Sequence, residues 1–120
     1  MRLLPDQPIY EQPPKMSREE LEAEFASNDP ERILRALIAA SYTEPPEWVQ
    51  GQCFKFAAHA GEPARRGAAI VLGSIAFVHG PINFERVVAT LEELRREEGL
   101  KMHADDSLML VLNAGRNRTQ

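Results

Sequence analysis

The sequence predicts an all-α fold built from about three helical hairpins that stack as a short solenoid. Residues 47–79 supply the main observation, because their apolar positions recur every three or four residues in two segments separated by a turn at residues 59–63. The second segment is apolar on nearly all sides, so we expect it to be buried between neighbouring helices. Such a hairpin does not close its own core and needs similar hairpins on both sides.

Composition favours one compact domain in the cytoplasm. A chain of 120 residues with a net charge of −4 is long enough to bury a core without covalent cross-links. The single cysteine, Cys53, lies on an apolar stripe and excludes an internal disulfide. We find no apolar run that predicts a signal peptide or a membrane span, and the acid excess argues against a nucleic-acid partner.

Residues 1–16 contain four prolines, which predict an extended arm. The arm also carries apolar side chains at Leu3, Leu4, Ile9 and Tyr10. Two interpretations stay open at this point. The arm is either a loosely held tail or a docking peptide for a partner or a second subunit.

The first predicted hairpin begins at a capping box. Ser17 is the expected N-cap, with Glu20 reaching back to its backbone. Asn28 or Asp29 then caps a second helix, and Pro30 fits its first turn. The stripe of that second helix is apolar except for its last member, a serine. Its residues are Ile33, Leu34, Leu37, Ile38 and Ser41.

The second hairpin is the one described above, and Trp48 near its start is expected to be a packing anchor. Gly80 is the expected left-handed C-cap of its second helix, because Pro81 prevents continuation. The stripe of the first helix is Val49, Cys53, Phe56, Ala57 and Ala60. The stripe of the second is Ala68, Val71, Leu72, Ile75 and Ala76, with Ala69, Ile70 and Phe77 covering the opposite side.

In the third hairpin, Asn83 is the expected cap of a helix that runs to about Glu98 and is ended by Gly99. Residues 108–112 read LMLVL, which fits a helix or a short strand. We prefer a helix that starts near Ala104, because acidic residues precede the apolar run. Residues 116–120 are predicted to form a flexible basic tail after the repeat domain of residues 17–115. The apolar stripe of the helix that begins after Asn83 is Phe84, Val87, Val88, Leu91 and Leu94.

The hairpins are related by an internal repeat. Pro30 and Pro63 stand 33 positions apart, each in the turn between the two helices of its hairpin. The same offset aligns Ala36 with Ala69. The third hairpin lacks the proline, as terminal repeats often depart from the pattern.

Residues 61–73, GEPARRGAAIVLG, resemble the turn and second helix of a HEAT repeat. Ala64 departs from the pattern, where a larger aliphatic residue is usual. The resemblance implies a right-handed α-solenoid in which the arginine ties neighbouring turns together. The matching positions of this repeat motif are Pro63, Arg65, Ala68, Leu72 and Gly73.

A longer run also resembles a known group. Residues 39–53 end one helix with Ala-Ser-Tyr, continue through an acidic-proline link and enter the next helix with Trp-Val-Gln-Gly-Gln-Cys. This run is similar to small bacterial single-domain HEAT-like proteins, some of which are assigned an immunity role beside polymorphic toxin genes. The resemblance implies a solenoid that mediates protein–protein interaction.

The residues offer no catalytic or metal-binding constellation, so we predict no enzyme activity and no cofactor. His59, His79 and His103 lie at predicted helix ends and do not form a zinc-binding spacing with Cys53. A cysteine on an apolar stripe is expected to be an unreactive thiol.

Charge is uneven along the chain. Residues 17–47 hold eight acidic and three basic residues, a net of −5. This excess is either an ordinary solvated surface or a field that steers a basic partner. The candidate partner-binding residues are Glu20, Glu24, Glu31, Glu44, Glu47 and Trp48.

The sequence therefore favours a non-enzymatic protein-binding module, with neutralisation of a basic bacterial toxin as the specific hypothesis. One alternative is a homo-oligomeric scaffold or complex subunit that uses the proline-rich arm or an unpaired helix face. The least favoured alternative is a DNA-binding enzyme on a helical solenoid, because such an enzyme needs a basic concave face.

Overall fold

The computed structural model describes residues 15–118, and all regular structure in that range is helical, which confirms the all-α prediction. Most of the predicted arm, residues 1–14, lies outside the described residues, as do residues 119–120. A short 3₁₀ turn, Glu98–Leu100, precedes the last helix. The helices are α1 (Arg18–Phe25), α2 (Pro30–Thr43), α3 (Pro46–Phe56), α4 (Glu62–His79), α5 (Phe84–Leu94) and α6 (Lys101–Arg118).

Helix α4 lies at the centre of the molecule. It packs against α2 on one side and α6 on the other, and it also contacts α3 and α5. The remaining pairs of consecutive helices also pack together, α1 on α2, α2 on α3 and α5 on α6. None of the helices in the described part of the chain is long and apolar enough to cross a membrane.

Small residues let the backbones of α2 and α6 approach α4. A Cβ atom built on Gly67 would lie 3.2 Å from Cα of Leu34 on α2, and one built on Gly73 would lie 2.9 Å from Cα of Ser107 on α6. Ser107 also donates a hydrogen bond of 2.6 Å from its hydroxyl to the carbonyl oxygen of Ala69. These close approaches fix where the three helices lie along one another.

The caps of the first hairpin confirm the predictions. The Ser17 hydroxyl accepts a hydrogen bond from the Glu20 N–H, and the Glu20 carboxylate accepts one from the Ser17 N–H. Asp29, rather than Asn28, caps α2 by accepting from the N–H groups of its first turn. Pro30 occupies the first helical position, where its missing N–H leaves no hydrogen bond unmade.

Two caps in the second half of the chain differ from the predictions. Gly80 has a positive φ of 90°, but its ψ of −179° is extended, because a residue before proline avoids the helical range of ψ. Asn83 makes no side-chain cap to α5. Its amide instead donates to the side-chain oxygen of Gln50 on α3.

The boundaries of the third hairpin were also wrong. Helix α5 ends at Leu94, four residues before the predicted end, and Gly99 lies within the 3₁₀ turn. Burial of Leu100 explains the change, because the chain must turn back toward the core to cover this side chain fully. Helix α6 begins at Lys101, includes residues 108–112 and continues to Arg118, into the predicted tail.

The apolar stripes of the hairpins form the core, with one correction at each end of the α3–α4 hairpin. Ala60 is exposed, outside α3. The middle of α4 is buried as predicted, but Phe77 in its last turn is not covered by neighbours. The largest fully buried apolar side chains are Leu21, Ile33, Leu37, Val49, Val71, Leu72, Val87, Leu91, Leu100 and Val111.

Candidate functional site

Three of the five candidate acidic residues are engaged within the molecule. Glu24 accepts two hydrogen bonds from Arg32, at 2.8 and 2.9 Å, and these bonds hold the pKa of its carboxyl below the usual value. Glu44 pairs with Arg18 at 2.8 Å. Glu20 is occupied in the capping box of α1.

The other two acidic candidates are exposed but do not form one cluster with each other. The carboxylates of Glu31 and Glu47 make no hydrogen bond or ion pair with any residue that the structure describes. Glu31 lies in the first turn of α2, whereas Glu47 lies in the first turn of α3. The 14 residues of α2 separate them, a length of about 21 Å at the usual helical rise.

Trp48 is a packing anchor between α1 and α3, as predicted. Its ring centroid lies 6.1 Å from that of Phe25, which is buried at the end of α1. The guanidinium carbon of Arg18 lies 3.8 Å from the centroid of the Trp48 ring. Because Arg18 also pairs with Glu44, one arginine joins two of the candidate residues to the packing of α1.

The residues of the repeat motif tie turns together. Arg65 donates to the carbonyl oxygens of His59 and Ala60, at 2.6 and 2.8 Å, and pairs with Glu97 at 2.6 Å. It thereby links the turn before α4 to the turn before α6. Pro63 is the second residue of α4, and the motif residues Ala68, Leu72 and Gly73 are buried.

His59 makes the corresponding link between the first two hairpins. Its Nδ1 accepts a hydrogen bond of 2.9 Å from the Gly61 N–H, so the ring proton is on Nε2. Nε2 lies 3.2 Å from the side-chain oxygen of Asn28, which is therefore the acceptor. This histidine has a structural role in the contact between the α1–α2 turn and the α3–α4 turn.

The remaining chemistry-bearing side chains are separated. Cys53 is fully buried, and burial raises the pKa of its thiol, so the reactive thiolate is disfavoured. His79 is exposed at the end of α4, and His103 is half-buried on α6. Within residues 15–116, no group of three or more His, Cys, Asp or Glu side chains is arranged to hold a metal ion.

An exposed apolar surface that was not predicted lies at the C-terminal end of α4. Tyr42 at the end of α2 is 59% exposed, and Phe77 and Val78 in the last turns of α4 are 74% and 69% exposed. We call these three residues, with the two grooves described next, the α4 face. A signal was present in the sequence, because Phe77 and Val78 fall outside the buried stripe of α4.

Two shallow grooves flank the last turns of α4. The residues lining the groove between α2 and α4 are Ser41, Tyr42, Ser74, Ile75, Val78 and His79. The residues lining the groove between α4 and α6 are Ala76, Phe77, Leu110, Asn113 and Ala114. Phe77 and Val78 thus stand on a ridge between two clefts of mixed apolar and polar lining.

Large apolar side chains that are exposed next to one another often mark a docking surface, whereas single scattered ones do not. Met109 on α6 is also 59% exposed, and it precedes groove residue Leu110 in the sequence. Comparison with known proteins assigns no family to this surface. No protein-family model, curated protein or solved structure matches the chain.

Proposed function

We propose that this chain is a non-enzymatic protein-binding module that docks a protein partner on the α4 face. One observation carries the proposal: Tyr42, Phe77 and Val78 are more than half exposed and adjoin two grooves. Exposed aromatic side chains beside pockets are typical of the residues that dominate the binding energy of protein interfaces.

We further propose that the six helices form a short right-handed α-solenoid of three hairpins. Contacts between neighbouring hairpins support a repeated translation, because Leu34 meets Gly67 and Gly73 meets Ser107, at separations of 33 and 34 residues. Gln50 and Asn83, also 33 residues apart, are joined by a hydrogen bond. The handedness follows from the resemblance of the repeat motif to HEAT repeats.

The grooves define the chemistry of the partner. They lie on either side of one helix, so their centres are about 10 Å apart, the usual distance between packed helices. A matching segment presents two apolar groups at about that spacing. Ser41 and Ser74 offer hydroxyl groups beside the apolar lining, which suits a partner group with both an apolar body and a polar tip.

Binding of a basic toxin through acidic residues is the second candidate. Glu31 and Glu47 favour it, since both carboxylates are exposed and without partners among the described residues. This mode of binding is electrostatic and weakens as salt is raised. Binding on the α4 face is largely apolar and is expected to persist at high salt.

The two modes are separated by a capture experiment with the tagged full chain in a lysate of its native cells. Three forms are compared: wild type, the double variant Phe77→Asp/Val78→Asp, and the matched double variant Glu31→Lys/Glu47→Lys. We expect a specific protein whose retention falls about tenfold or more with the first variant, equal to about 1.4 kcal/mol of binding free energy. The same protein should be retained by the second variant at high salt.

The opposite pattern contradicts the proposal. Retention that is lost with the Glu31→Lys/Glu47→Lys variant and at high salt assigns the function to the acidic residues. A set of captured proteins that neither variant changes excludes both surfaces. Circular dichroism controls for folding, which we expect to be unchanged because all four side chains are exposed.

A further inference from the structure

We propose that two copies of this chain form a twofold symmetric dimer in which α6 of one copy packs antiparallel against α6 of the other. The observation behind the proposal is an uncovered stripe along about four turns of α6. We call it the α6 stripe, and its exposed residues are Met102, Asp106, Met109, Asn113 and Arg116. The inference is independent of the proposed function, because Asp106, Met109 and Arg116, which carry it, line neither groove of the α4 face.

The α6 stripe faces away from α4. The buried side of α6 carries Ala104, Ser107 and Val111, and Ser107 meets Gly73 of α4. The stripe residues recur at alternating steps of four and three, on the opposite side of the helix from these three. Because α4 packs between α2 and α6, the α6 stripe lies where a further helix would continue the row α2, α4, α6.

The two ends of this row differ in polarity. Before its last turn, the exposed residues of α2 are Glu31, Arg32 and Arg35. In contrast, α6 exposes 67% of Met102 and 59% of Met109. The outer faces of terminal helices in stacked arrays are usually polar. Since the charged side of α2 does not match an apolar stripe, head-to-tail stacking of copies is disfavoured, and a second α6 is the better fit.

The charges of the α6 stripe complement themselves when one helix is reversed. Asp106 precedes Met109 and Arg116 follows it, so an antiparallel copy sets Arg116 against Asp106 at two symmetric places. The same register brings Met109 beside Leu112 of the second copy, a residue that is 44% exposed. A parallel pairing would set like charges opposite each other, which is unfavourable.

Both charged groups are exposed. The Asp106 carboxylate makes no hydrogen bond or ion pair with the residues that the structure describes. Arg116 donates from Nη1 to the side-chain oxygen of Asn113 at 3.3 Å, and a guanidinium has five N–H donors that can serve several acceptors at once. Asp105, the neighbour of Asp106, is instead held by Arg95 and Lys101 within the molecule.

The contact is small, because each copy contributes one helix. Specific interfaces of standard size bury about 1,200–2,000 Å² in total, and transient ones lie at or below the lower limit. We therefore expect a reversible dimer at high protein concentration and a monomer in the dilute solutions used for unfolding measurements.

Sedimentation equilibrium of the full chain at concentrations up to about 1 mM tests the proposal. Wild type should associate to a dimer and no further, because a twofold contact closes on itself. Asp106→Arg and Arg116→Asp should each raise the dissociation constant about tenfold or more, since each sets like charges together in both pairs. An equimolar mixture of these two variants should dimerise again, and so should the double variant Asp106→Arg/Arg116→Asp.

This recovery can only come from contact between copies. Asp106 and Arg116 are ten residues apart on α6, about 15 Å at the usual helical rise, which is too far to pair within one copy. Phe77→Asp/Val78→Asp is the control and should leave the dimer in place, whereas loss of the dimer would assign self-association to the α4 face. A wild-type chain that stays monomeric up to about 1 mM overturns the proposal. Association beyond the dimer, or a double variant that dimerises as weakly as the single ones, also overturns it.

Discussion

Gly73 determines how closely α6 packs on the central helix. A side chain at this position meets the hydroxyl and the backbone of Ser107, with Cα of Ser107 only 2.9 Å from the position of a Cβ atom. Backbone atoms cannot rotate aside as the end of a flexible side chain does. The hydrogen bond from Ser107 to Ala69 holds the two helices at this separation.

We therefore expect Gly73→Ala to lower the free energy of unfolding by about 1–3 kcal/mol, the usual cost of overpacking a core. The same substitution at Gly51 is the matched control, because Gly51 is exposed within α3 and a Cβ atom there meets nothing within 4 Å. Gly51→Ala should stabilise the protein by about 0.5–1 kcal/mol, since alanine loses less backbone entropy in a helix. Urea unfolding measures both, and equal effects of the two variants would refute the packing argument.

The burial of Gln50 could not be predicted from the sequence. A glutamine beside the apolar Val49 carries no signal for burial, yet Gln50 is 2% exposed. Its amide donates to the carbonyl oxygen of Ile82, and its oxygen accepts from Asn83. Both partners lie more than thirty residues from Gln50 along the chain, so sequence spacing does not reveal these hydrogen bonds. Asn83 was therefore predicted to cap α5, whereas its side chain is hydrogen-bonded to Gln50.

Among the helices, those with strong local end signals were predicted well. The capping box of α1 and the Asp29-Pro30 start of α2 depend on neighbouring residues, so sequence spacing is enough to find them. The end of α5 has no such signal, because residues 95–98 are charged and compatible with a longer helix. Burial of Leu100 decides that boundary, and burial depends on the packed structure.

An ion-pair cluster joins the end of α5 to the start of α6 and predicts a dependence of stability on pH. Hydrogen bonds from Arg95 and Lys101 lower the pKa of Asp105 to about 2. An unfolded chain gives aspartate a pKa of about 3.9. The stabilisation by Asp105 is therefore complete above pH of about 4 and is lost as the pH falls through about 2.

Thermal unfolding between pH 2 and neutral pH measures this effect as the difference between wild type and Asp105→Asn. We expect the variant to melt at a lower temperature near neutral pH, and the two melting temperatures to converge as the acid limit is approached. Asp106→Asn is the control, because Asp106 is exposed and has no ion pair with the described residues. A difference for Asp105→Asn that stays constant over the whole pH range would show that the ion pairs do not cause it.

In the whole molecule, the central position of α4 was predicted and the α4 face was not. An all-round apolar helix must be surrounded by other helices, and the stripe pattern alone indicates this. Phe77 and Val78 fall outside the buried stripe of α4, and whether a neighbouring helix covers them depends on how α2 and α6 are positioned against α4. The close approaches at Gly67 and Gly73 set those positions, and no local pattern in the sequence describes them.

Because α4 contacts four other helices, a defect in its centre should weaken the whole domain rather than one hairpin. Leu72 is fully buried there, so Leu72→Ala is expected to cost about 2–5 kcal/mol of unfolding free energy. Trp48 fluorescence reports on the α1–α3 contact, and far-ultraviolet circular dichroism reports on all helices. We expect both probes to give one coincident transition, shifted to lower denaturant in the variant.

The matched substitution is Phe77→Ala, which removes a larger side chain from the same helix at an exposed position. It should change the unfolding free energy by only about 0.5 kcal/mol or less, as exposed sites usually do. A cost comparable to that of Leu72→Ala would place Phe77 in the core and remove the basis of the α4 face. A fluorescence transition that Leu72→Ala leaves unshifted would instead show that the first hairpin unfolds independently of the central helix.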